Sequence, residues 1–185
     1  MNKLVLPACI ALSLAAPALS QKGVELPQAP KEMARLNFTT GNWFGIANRD
    51  FGQGSMERLV CSMSSVRSMG GRYIRMNFDM KVASGPYECL CLLSFDPQTK
   101  KYKAWWFDTL NSLNIEFTGG FESNALFLTS QPYRIGNTEV IYRMRWADKA
   151  EEGVALAIDR RVSNKWYPLF DGSYKKTGRG GKGGG

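Results

Sequence analysis

Hydrophobic and polar residues alternate at period two along most of this chain, and no long segment repeats at the helical period. The cleanest run is 73–81, where Ile74, Met76, Phe78 and Met80 fall on one face and Tyr73, Arg75, Asn77, Asp79 and Lys81 on the other. That pattern predicts a half-buried antiparallel strand. Val154, Leu156 and Ile158 alternate in the same way with Ala155, Ala157 and Asp159. Further strands are predicted over 43–49, 56–66, 115–118, 125–129, 139–146 and 166–174, with turns or breaks at Gly52-Gln53-Gly54, Gly119-Gly120 and Gly136-Asn137. Gly52-x-Gly54 has no strand-to-helix context, so it reads as a turn and not as a phosphate loop.

The strongest local signal is a hairpin. Tyr87 to Phe95 reads as one strand, Asp96-Pro97 as the turn, and Tyr102 to Asp108 as its partner strand. Asp96 suits the first turn position because its carboxylate accepts from later backbone N–H groups, and Pro97 pre-sets the next φ. Trp105 and Trp106 are adjacent and must face opposite sides of this strand, so one of them lies outside any barrel lumen. Strands at this spacing, about nine or ten in all, predict an all-β sandwich or barrel. Alternation leaves open which face of each strand lines the interior. Before the strands, 21–30 reads as an extended linker, and 31–38 as a short helix with Met33, Leu36 and Phe38 on one side, suited to plugging a barrel end.

Three ordered motifs then carry a family resemblance. Phe95-Asp96-Pro97-x-Thr99-x-Lys101-Tyr102 with Trp106-Phe107-Asp108, preceded by Gly41-Asn42-Trp43-Phe44-Gly45 and by Met69-Gly70-Gly71-Arg72-Tyr73, resembles the domain-of-unknown-function family 1579 of bacterial proteins. The likeness spans roughly residues 31–174. It implies a calycin-like β-barrel and no agreed activity. Cys89 and Cys91 stand where the resemblance implies small glycines.

Composition narrows the chemistry. The chain has no histidine, which excludes Ser-His-Asp and Cys-His nucleophile systems, a proximal-His haem and His-based zinc. Met1-Asn2-Lys3, an apolar run from Leu4 to Ala16 and the small-x-small site Ala18-Leu19-Ser20 have the layout of a secretory signal peptide over 1–20. No later apolar run predicts a transmembrane segment. Export to the periplasm or the medium is the expectation.

Without 1–20 the chain carries 23 basic and 16 acidic residues, and four of the basic ones, Lys175, Lys176, Arg179 and Lys182, lie in a Gly/Lys-rich stretch, 175–185, read as a flexible tail. The body is then too weakly basic for a nucleic-acid footprint, so no nucleic-acid partner is expected. Three cysteines remain after processing: Cys61, Cys89 and Cys91. If a disulfide forms, it joins Cys61 to Cys89 or Cys91, because the latter two share a strand face and cannot readily bond each other. A C-x-C metal site lacks further ligands, so no metal and no cofactor is expected.

Among the acids Asp79, Glu88, Asp108 and Glu116, Asp108 stands out, since it shares a strand face with Tyr102, Ala104 and Trp106. An acid on the aromatic side of a strand needs a partner, for which Arg75 and Arg145 are the candidates. Taken with the resemblance, the expectation is an exported, single, antiparallel calycin-like barrel that binds a small apolar or amphipathic molecule. Trp43, Arg75, Asn77, Tyr102, Trp106, Asp108 and Arg145 are the candidate ligand residues, and no catalytic residue is assigned. The alternatives are a carboxylate-dependent hydrolase of an envelope molecule and a non-catalytic structural or protein-binding module.

Overall fold

A computed structural model of the chain describes residues 28–51, 54–82, 85–109 and 111–177. The signal-peptide reading of 1–20, most of the linker 21–30, Gly52-Gln53 and the tail from 178 onward lie outside the described residues. The strands are β1 (Gly41–Asp50), β2 (Met56–Ser68), β3 (Tyr73–Val82), β4 (Gly85–Asp96), β5 (Lys101–Asp108), β6 (Asn111–Glu122), β7 (Ala125–Ser130), β8 (Tyr133–Ile135), β9 (Thr138–Asp148), β10 (Val154–Val162) and β11 (Lys165–Lys176).

All pairings are antiparallel, in the order β10-β11-β1-β2-β3-β4-β5-β6-β7-β9-β8, and β9 also pairs with β10. That last pairing closes ten strands into an up-and-down barrel and leaves the short β8 as a tab on β9. Closure leaves the ring no unpaired edge to protect. Neither β8 nor the full length of β6 was expected from the alternation. Gly119-Gly120 does not break β6 but lies within it. A Cβ at Gly119 would come 2.0 Å from the carbonyl oxygen of Phe127 on β7, so glycine is there for close strand approach.

The apolar face of each strand lines the interior. Ile74, Met76, Phe78 and Met80 are buried, whereas Arg75 and Asp79 are exposed. In mid-barrel the side chains meet across the lumen: the Phe78 ring lies 5.3 Å from Trp106, 6.3 Å from Trp146 on β9 and 6.2 Å from Tyr174 on β11. The barrel's waist is therefore packed with aromatic side chains and not hollow.

The predicted hairpin is β4–β5. Asp96 Oδ1 accepts from the N–H groups of Gln98 at 2.9 Å and Thr99 at 3.4 Å, and these bonds hold its carboxyl below the usual range. The two glycine motifs have equally local causes. At Gly45 a Cβ would meet the Ser173 carbonyl oxygen at 2.0 Å, and Gly70 and Gly71 turn the chain at φ of +66° and +84°.

The expected N-terminal helix is a 3-10 helix, Lys31–Thr39, whose buried residues Met33, Leu36 and Thr39 recur every third position. It sits at the end of the barrel where the β2–β3, β4–β5 and β6–β7 turns lie. Arg67 ties it to β2 by donating to Asn37 Oδ1 at 3.1 Å and to the Met33 carbonyl at 2.9 Å. Tyr102 donates to the Glu32 carbonyl at 2.9 Å, and Trp43 Nε1 to the Thr39 carbonyl at 3.0 Å. Arg35 lies 4.0 Å over the Phe121 ring.

Neither candidate pairing of Cys61 is formed in the structure: Cys61, Cys89 and Cys91 are all buried free thiols. Cys61 lies on β2 and the other two on β4, with β3 between them. Strands two apart are separated by roughly 9–10 Å, well beyond the span of a disulfide. Burial pushes the Cys61 thiol from 9.0 up to about 11, partly offset by its hydrogen bond with Tyr174. Cys89 and Cys91 are pushed higher by the same desolvation.

Candidate functional site

Opposite the plugged end, the ends of β1, β5 and β10 and the start of β4 bring charged and phenolic side chains to the mouth of the barrel. Strand parity dictates this. On β1 the inward series Trp43, Gly45, Ala47 continues to Arg49; on β5 the series Tyr102, Ala104, Trp106 continues to Asp108; on β10 the series Leu156, Ile158 continues to Arg160.

Arg49 Nη2 lies 3.6 Å from Asp108 Oδ2, with the two side chains only 4% and 3% exposed. At that separation they form an ion pair without a proper hydrogen bond. Asp108 Oδ2 also accepts from Trp106 Nε1 at 3.1 Å. The Arg49 guanidinium is flanked by aromatic faces, 4.4 Å from the Tyr87 ring centroid and 5.4 Å from that of Phe51. Arg160 Nη2 donates to Asp50 Oδ2 at 2.8 Å, and Asp50 Oδ1 accepts from Gly54 N at 3.1 Å. Tyr142 lies opposite Arg160 across the β9–β10 ladder, and its N–H donates to Ser130 Oγ at 2.9 Å.

Four buried side-chain polar atoms among the described residues have no hydrogen-bond partner: Arg49 Nε, Tyr87 Oη, Arg160 Nε and Ser65 Oγ. The first three belong to this mouth. A buried donor left unsatisfied costs about 1–3 kcal/mol, so their grouping at one end needs a reason. Burial drives the Tyr87 hydroxyl far above its usual titration range, with the nearby Cys89 adding to the shift and Arg49 opposing it. Tyr142 is also raised by burial, with Arg160 opposing.

Of the candidate ligand residues, Trp106 and Asp108 come together here. Trp43 and Tyr102 are buried at the plugged end, where both bond the 3-10 helix. Arg75 and Arg145 are exposed on the outer face, and Asn77 is half-buried there, donating to Ser64 Oγ at 3.5 Å. The partner of Asp108 is accordingly Arg49, and neither Arg75 nor Arg145. The remaining acids do not join it inside: Asp79, Glu88 and Glu116 are exposed. Trp105 is the outward tryptophan of its pair, half-buried against Tyr73 at 6.2 Å.

Arg49, Tyr87, Tyr142 and Arg160 were not among the sequence candidates. Arg49 is detectable in retrospect, because it ends an inward series that began at Trp43. Among the described residues, no group of three or more acids and cysteines could hold a metal ion, and no helix is long and apolar enough to cross a membrane.

A family model described as "Protein of unknown function (DUF1579)" matches residues 27–176. No curated protein matches the chain. Among solved structures, the protein Rv2717c from M. tuberculosis is similar in fold, with a TM-score of 0.59 at 9% sequence identity, over 82% of this chain and 100% of that one.

Proposed function

The chain belongs to the DUF1579 family, and from that premise we propose that it is an exported, calycin-like binding barrel that takes a small amphipathic ligand at its polar mouth, without catalysis. The observation that carries this reading is the concentration of unpartnered buried donors at one end, above an aromatic floor formed by Phe78, Trp106 and Phe170. A few convergent polar groups over an apolar surface are how small-molecule sites fix orientation. The packed waist limits the ligand to a short molecule held at the mouth. Export is supported by the layout of residues 1–20.

Expression with the native leader, followed by native and denaturing mass spectrometry, tests both parts. Cleavage after Ser20 and an extra mass lost on denaturation are the expected results. An uncleaved chain would remove the export proposal. A bare native mass that persists after incubation with envelope extract would remove the tight-carrier reading and favour a non-catalytic structural module.

A further inference from the structure

We propose that the group recognised at the mouth is an uncharged hydrogen-bond acceptor, the carbonyl oxygen of a small ester, ketone or amide, and not an ion. The inference rests on the binding reading above and adds the ligand's chemistry to it.

The mouth is balanced in charge but not in hydrogen bonds. Arg49 faces Asp108 and Arg160 faces Asp50, so two cations meet two anions. Among the described residues of this cluster, a buried anionic ligand would set a third negative charge against two cations, and a cationic ligand would meet two guanidinium groups. The unmet need is for acceptors. Arg49 Nε and Arg160 Nε have no partner, and the Tyr87 hydroxyl has no nitrogen or oxygen partner, only the weakly accepting Cys89 sulfur beside it. The Arg49 guanidinium stacks on the Tyr87 ring at 4.4 Å, so its donors and the tyrosine hydroxyl lie in one neighbourhood. A carbonyl oxygen has two lone pairs and offers no proton, which suits two donors. The rest of such a ligand is apolar, in keeping with the Trp106 and Phe170 rings below.

Both donor atoms are occluded, with the Phe51 ring 5.8 Å from that of Tyr87 and 5.4 Å from the Arg49 guanidinium. Binding therefore requires side chains at this corner to shift.

The test uses probes of matched size: methyl benzoate, benzoate, benzylammonium and ethylbenzene. Each is titrated into the mature chain by calorimetry and followed at the indole N–H resonance of Trp106. Methyl benzoate should shift that resonance saturably and bind at least about tenfold more tightly than the other three. Tyr87→Phe keeps the ring under Arg49. It should weaken methyl benzoate by about fivefold while the ligand-free melting temperature stays level or rises.

Tighter binding of benzoate or benzylammonium would overturn the inference, and equal binding of ethylbenzene would show that no head group is read; either leaves the binding reading standing. Failure of all four probes to bind would count against both. A Tyr87→Phe protein that melts earlier yet binds methyl benzoate unchanged would assign the hydroxyl to structure and end the proposal.

Discussion

The two ends of the barrel each use an arginine, and they use it differently. At the plugged end Arg67, exposed at the surface, donates to Asn37 Oδ1, to the Met33 carbonyl and to the Gly71 carbonyl at 3.2 Å. At the mouth Arg49 is buried, its Nε has no partner, and its nearest acid is 3.6 Å away. The more costly burial has the poorer bonding. The chain completes one end with its own 3-10 helix and leaves donors at the other, which is the asymmetry expected of a container with a floor and a mouth.

The largest effect that tests this contrast comes from the buried pair. Removing one member of a buried ion pair leaves the other charge uncompensated and costs about 3–5 kcal/mol. Arg49→Met should lower stability by about that much in urea unfolding, because Asp108 is then left among Trp106, Cys89 and Tyr87. The double variant Arg49→Met with Asp108→Leu should recover part of the loss, since it removes the second charge but also takes the acceptor away from Trp106 Nε1. A double variant as unstable as the single would show that the pair contributes net stability to the mouth, against the reading that it is kept for recognition.

A smaller effect reads how dry the wall between the two ends is. Cys61 titrates at about 11 in the folded chain against an ordinary 9.0, because burial disfavours the thiolate. Its folded value is raised, so this contribution is complete below pH 9 and is lost as pH rises through 11. Above 9 the unfolded chain gives up the proton and the folded chain does not, so unfolding gains. A shift of that size corresponds to roughly 3 kcal/mol. Cys89 and Cys91, raised further by burial, extend the loss to higher pH. Denaturant midpoints should fall steadily from pH 9 to pH 11, where all three buried thiols contribute, and Cys61→Ala should make that limb shallower by about a third. A flat profile in the parent chain would mean that water reaches these thiols.

How much of this was legible in the sequence follows from what alternation encodes. Period two gives the face of every long strand, so the inward series of β3 and β10 and the β4–β5 hairpin were readable from Ile74, Val154 and Asp96 alone. Closure of β9 on β10 and the tab β8 depend on pairing between strands, which no local pattern specifies. Gly119 read as a break because its reason lies on another strand, at the Phe127 carbonyl. The mouth was half legible. Asp108 was singled out because an acid among aromatics is costly anywhere, whereas its partner Arg49 lies 59 positions earlier on β1, a distance that spacing cannot bridge. Tyr87 read as an ordinary strand aromatic, and only the missing partner of its hydroxyl sets it apart.

The smallest effect is the sharpest comparison, because one chemical change is made at both ends. Tyr102→Phe removes a hydroxyl that donates to the Glu32 carbonyl of the 3-10 helix at 2.9 Å. It leaves that carbonyl without its donor, so it should cost about 1 kcal/mol in unfolding free energy. Tyr87→Phe removes a hydroxyl that is buried with no nitrogen or oxygen partner and only the Cys89 sulfur beside it, so the ligand-free chain loses at most a weak contact with sulfur and sheds a desolvated polar group. Its stability should stay level or rise. Both variants keep their rings, and with them the stacking of Tyr102 on Phe121 at 5.1 Å and of Arg49 on the Tyr87 ring at 4.4 Å. Any difference between the two therefore belongs to the hydroxyl groups. Equal losses at both ends would mean that the Tyr87 hydroxyl already has a partner in the ligand-free protein, such as a buried water, and the contrast between a finished floor and an unfinished mouth would disappear.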